Sequence, residues 1–147
     1  MKEENFRKLF YETINELIDS LNFTIVACVI KKHLYFEKYG SSAIDPYLMS
    51  LDVLVERFCL DLGNKERGSI IAESRGKILD NQLMGAWIRL QNFTGTHYIA
   101  SNIVRDRISG GLSLHEKEER IAGLELADLV VSPIGRYILG KPLKKDF

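Results

Sequence analysis

"FTIVACVI", residues 23–30, is the stretch on which the reading of the fold turns. A continuous apolar run rich in β-branched residues suits a strand covered on both faces, as in a parallel sheet. Working outward, Phe6, Leu9, Phe10, Ile14, Leu17 and Ile18 recur at three- and four-residue spacings, which predicts an amphipathic helix over 4–20. On the other side "KKHLYFEKYGSSAI" reads as a loop or an irregular extension. Its lysines are read as snorkelling over a partly buried aromatic edge in preference to framing a base-stacking surface.

Asp45-Pro46 then offers a capping side chain followed by proline at the first helical position. The helix it opens would bury Leu48, Leu51, Val55, Phe58 and Leu62 and stop at Gly63-Asn64. Residues 68–73, "GSIIAE", predict a second strand, 79–91 a helix, and 96–104, "THYIASNIV", a third strand. The glycine-punctuated "RDRISGGLSLHEKEER" predicts a loop with room for a short strand pair. A last helix would start near Ile121, with a kink or break at Pro133, where Ser132 could cap a second helix. Helices alternating with strands predict an α/β fold.

With 147 residues the chain fits one domain spanning 1–147. Apolar residues at 46% and charged residues at 27% are ordinary for a globular protein and unlike a disordered one. Lysine plus arginine and aspartate plus glutamate both number 20, so net charge points to no nucleic-acid, membrane or acidic partner. Cys28 and Cys59 lie in apolar stretches without metal-ligand spacing and read as reduced, buried thiols. No apolar run approaches the roughly 20 residues of a membrane span, and "MKEENFRKLF" is too polar for a signal peptide. The expected location is therefore cytoplasmic.

Two acidic groups stand out. In "IIAESRGKILD", 70–80, an apolar run ends in Glu73 and leads through Arg75 and Lys77 to Asp80. Ligands gather at the carboxyl ends of strands in α/β sheets, so this stretch could wall a site. On spacing alone it reads more readily as a solvated turn with Asp80 near a helix start, where the dipole favours acids. In "LELADLVV", Asp128 is surrounded by apolar residues, and Glu125 shares its helix face. A buried aspartate there would need a partner or a metal; the other reading is an exposed acidic stripe. His33, His97 and His115 show no ligand spacing, and no GxGxxG, Walker A or GxSxG segment is present.

"AGLELADLVVSPIGRYILGK" resembles the C-terminal hallmark of a large bacterial and phage family of uncharacterised proteins, usually Gly-Leu-Gln-Leu-Ala-Asp-Leu; Glu125 stands in place of the glutamine. "IIAESRGKILDNQL" is similar to the middle motif of one branch of that family, and the resemblance runs from about residue 20 to 142. It implies an RNase H-like mixed sheet flanked by helices. It also implies a metal-dependent, nuclease-type phosphodiester hydrolase acting on nucleic acid with Mg²⁺ or Mn²⁺. Carried over, Glu73 and Asp128 would ligate metal, Asp80 would be a further catalytic acid, and Arg75 and Lys77 would contact phosphate. The family's first strand, an Asp-Glu-Ser strand of an N-terminal β-hairpin, has no counterpart here. The resemblance therefore implies an N-terminally truncated version of the domain with one ligand missing. The exposed sheet edge would invite a homodimer. The alternative is a non-catalytic binding or assembly module that keeps the fold.

Overall fold

A computed structural model describes residues 2–142. Six helices and two short strands are set out among them: α1 (Lys2–Ser20), α2 (Lys32–Tyr39), α3 (Pro46–Leu62), β1 (Ile70–Glu73), α4 (Lys77–Arg89), α5 (Ser101–Arg107), β2 (Leu112–His115) and α6 (Ala122–Ile138). A π-helical turn, Leu90–Thr94, prolongs α4, and 3-10 turns occupy Gly40–Ser42 and Lys117–Glu119. The strands pair in parallel, with Ile70 opposite Leu112 and Glu73 opposite His115.

This corrects the α/β expectation. Among the described residues the sheet has two strands, so the chain does not form an RNase H-like mixed sheet flanked by helices. Two predicted strands account for the difference. Residues 23–30 run without regular secondary structure, and no backbone hydrogen bond among the described residues ties them to a strand. Residue composition favours a strand only where a neighbour supplies the ladder, and β2 is the only strand that bonds to β1 there. Phe23, Ile25 and Val26 are left exposed instead of covered on both faces.

The stretch 96–104 fails for a different reason. Glu56, only 7% exposed on α3, accepts hydrogen bonds from Thr96 Oγ1 at 2.9 Å and the Tyr98 amide at 3.0 Å. Thr96 and Ile99 also bond to each other through backbone and side chain, closing a turn. The backbone donors a strand would need are consumed, and α5 begins at Ser101. Gly95 is required here: its φ is +65°, and a Cβ would collide with the Ile99 carbonyl oxygen.

The reading at the start and end of α3 holds, and two other local readings do not. Asp45 caps α3 by accepting from the Tyr47 amide at 2.8 Å, and Gly63 ends the helix with φ +58°. The stretch read as irregular after Lys31 folds into α2, where Lys38 lies over the Tyr39 ring at 5.0 Å. Pro133 lies inside one continuous α6, so no second helix starts at Ser132.

The core is built from α3, α4, the π-turn and α5. Val55, Cys59, Trp87, Leu90, Val104 and Ile108 are its most enclosed members. Cys59 is buried and Cys28 half-buried, both as free thiols. Arg107 seals the end of α3 by donating to the Cys59 carbonyl at 2.8 Å and to Asn64 Oδ1 at 2.6 Å.

The approach to the strand pair is set by two glycines. The Gly68 amide donates to the Arg107 carbonyl at 2.8 Å, and the Gly110 amide to the Gly68 carbonyl at 3.0 Å. A Cβ on Gly110 would lie 2.6 Å from Ser69 Cβ, where no flexible side-chain end can yield. Gly110→Ala is expected to destabilise the protein by about 1–3 kcal/mol, the usual cost of overpacking. Urea unfolding measures it.

Candidate functional site: an acidic cleft

Glu73 closes β1, and three segments meet around it. The turn Lys117–Glu119 follows β2, Arg120 reverses the chain with φ +50°, and α6 then returns past β1. Arg120 is the only non-glycine residue with positive φ among the described residues. These segments enclose a cleft of about 570 Å³ lined by Glu73, Glu116, Glu118, Glu125 and Asp128, with Lys117 and Arg120. Five carboxylates against two cations give the cleft a negative field.

The turn that carries Glu116 and Glu118 is tied to β2. The Glu119 carboxylate accepts from the Glu116 amide at 2.8 Å, completing a capping box, while its second oxygen lies 2.8 Å from His115 Nδ1. His115 Nε2 lies 3.2 Å from Ser113 Oγ. The His115 hydrogen bond, followed by the Glu116 amide, holds the Glu119 carboxyl below its ordinary value. Because His115 faces Glu73 across the strand pair, the same histidine orients the turn and neighbours the central acid.

Glu73 and Asp128 are thus brought to one cleft, as the sequence suggested, with Glu125 beside them. Glu125 and Asp128 are both exposed on α6, and both line the cleft. Asp80 goes elsewhere. Its carboxylate accepts from Ser74 Oγ at 2.7 Å and from the Arg75 amide at 2.8 Å, clamping the turn from β1 into α4. Arg75 lines a separate 440 Å³ cavity with Cys28, Lys32 and Tyr47, and Lys77 is exposed at the first residue of α4. The cationic side chains at the cleft are Lys117 and Arg120, in the charged run that follows β2.

Carboxylate oxygens suit Mg²⁺ or Mn²⁺. Among the described residues, however, no three His, Cys, Asp or Glu side chains are grouped so as to hold a metal ion. The donors are of the right chemistry, but among the described residues they do not form a complete ligand group.

Comparison with known proteins adds one relative. A Sinorhizobium fredii protein (strain NBRC 101917 / NGR234), "Uncharacterized protein y4pM", is 26% identical over 152 residues, covering 95% of this chain and 56% of that protein. The chain therefore spans little more than half the length of the curated relative it matches. No family model and no solved structure matches the chain. No helix among the described residues is long and apolar enough to cross a membrane.

Asp80 supplies a pH test of the clamp. The Arg75 amide first, and Ser74 second, hold its carboxyl below the ordinary value. A depressed carboxyl contributes stability above its unfolded pKa and loses it as pH falls through the folded one. Asp80→Ala is therefore expected to be less stable than the native chain near neutral pH. The gap should narrow progressively as pH drops below about 4. Thermal unfolding across pH checks this; a gap independent of pH would mean that the carboxylate's charge plays no part.

Proposed function

We propose that the cleft between the carboxyl end of β1 and α6 is the acid-bearing part of a divalent-cation-dependent phosphodiester hydrolase site of the nuclease type. Its substrate class would be nucleic acid, its cation Mg²⁺ or Mn²⁺, and its setting the cytoplasm. The observation that carries the reading is the meeting of Glu73 and Asp128, far apart in sequence, on one cleft. In this reading Glu73 and Asp128 face the cation, Glu125 joins them, and Lys117 and Arg120 meet the phosphate backbone. Asp80 holds the turn behind Glu73, a supporting task for the residue expected to be a third acid. Arg75 and Lys77 would serve substrate only beyond the cleft itself.

The shell is completed in this proposal by polypeptide outside the chain. Among the described residues the acids do not form a complete ligand group, and the added polypeptide would supply the remaining donors. A free backbone edge on the two-stranded sheet offers one route, since a second copy could pair there to form a homodimer.

A non-catalytic binding or assembly module is the second reading, favoured by the same incomplete grouping. Cleavage of single- and double-stranded DNA and of RNA with Mg²⁺ or Mn²⁺ separates the two. Glu73→Ala and Asp128→Ala should each lower cleavage by roughly 100-fold, the scale of losing a charge-organising group at a reacting centre. Cleavage that survives both substitutions contradicts the site. Absence of cleavage by the folded native chain leaves the assembly reading.

A further inference from the structure

α1 is amphipathic, with Ile14 and Ile18 half-buried, yet much of its apolar surface is open: Phe6 is 69% exposed, Phe10 47% and Leu17 52%. Leu9 and Leu21 extend the same exposed surface at helical spacing. A contiguous apolar stripe of this kind on a folded protein marks an interaction surface. The pattern of charge along the helix says which kind. Its first half carries Lys2, Arg7 and Lys8 with Glu3 and Glu4, a slight positive excess. Its second half carries Glu12, Glu16 and Asp19 with no base.

We propose that α1 docks antiparallel on α1 of a second copy of this chain, burying Phe6, Phe10 and Leu17 in a two-fold helix pair. Antiparallel packing sets the basic end of each helix against the acidic end of the other. Parallel packing would oppose two acidic halves, which costs free energy. An α1 pair is isologous, so it closes at two copies and does not propagate. The acidic excess of the helix also disfavours an anionic lipid surface as the occupant, because interfacial helices carry Lys and Arg on the polar face. This dimer is independent of the proposed hydrolase site and of pairing at the sheet edge.

Light scattering on the full chain tests it. The expected mass is that of two chains, with association weakened roughly thirtyfold or more by Phe10→Glu or by Leu17→Glu, the scale of losing an interface anchor. Both substitutions fall on an exposed face, and fluorescence of the buried Trp87 verifies that the fold persists. Orientation is read by mixing Phe6→Cys and Leu17→Cys chains in a Cys28→Ser background. Antiparallel docking cross-links the two variants to each other; self-linking of each variant would overturn it. A monomer at the highest soluble concentration also overturns the proposal. So does a dimer indifferent to both charge substitutions, which would place the contact at the sheet edge. Helix-dependent binding to phosphatidylserine vesicles in place of dimerisation would assign the face to lipid and overturn it as well.

Discussion

The parallel pairing of Ile70–Glu73 with Leu112–His115 is the constraint on which the cleft depends. Side chains alternate faces along a strand, so a slip of one residue would turn Glu73 and its whole face to the other side. Four residues per strand are few for holding a register. The rest is supplied at the ends: the Gly68 and Gly110 backbone bonds before the strands, and the Ser74 amide on the His115 carbonyl after them. Asp80 then locks the exit of β1, and His115 with Glu119 locks the exit of β2. The two clamps flank Glu73 and leave its carboxylate turned to the cleft.

Stability is unevenly distributed as a result. α3, α4 and α5 surround a closed core from Val55 to Ile108, backed by the buried Glu56 and by Arg107. α6 has no fully buried residue among those described, and Leu129, Val131 and Ile138 are exposed on it. The cleft therefore has one firm wall, at β1, and one lightly held wall, at α6. Elements with few buried contacts open at lower free energy than the core, and ligand-binding elements are drawn from that end.

Local signals were legible in the sequence wherever a single residue decides the structure. Asp45-Pro46 starts α3 and Gly63 ends it because a cap and a left-handed turn need only local chemistry. Strands were less legible, since a strand is settled by its neighbour. "FTIVACVI" has the composition of a buried strand without the ladder that would make it one, and 96–104 gives up its donors to Glu56, forty residues earlier in the chain. The site divided in the same way. Glu73 and Asp128 stood out by their settings at the end of an apolar run and within an apolar helix. Asp80 carried two readings, a catalytic acid and an acid at a helix start, because spacing alone does not say which hydrogen bonds such a carboxylate accepts; it accepts from Ser74 and the Arg75 amide. Lys117 and Arg120 lie in a run that reads as solvated charge, and only the return of α6 past β1 gives them a position.

The central claim is that Glu73 and Asp128 share one cation-attracting cleft. Paramagnetic broadening by Mn²⁺ in NMR spectra of the labelled full chain tests it directly. The account predicts that amide signals around Glu73, Glu125 and Asp128 broaden together at the lowest Mn²⁺ concentrations, and that Asp128→Ala weakens broadening at Glu73. Broadening confined to other acidic surfaces, or equal at Glu73 with and without Asp128, would contradict it.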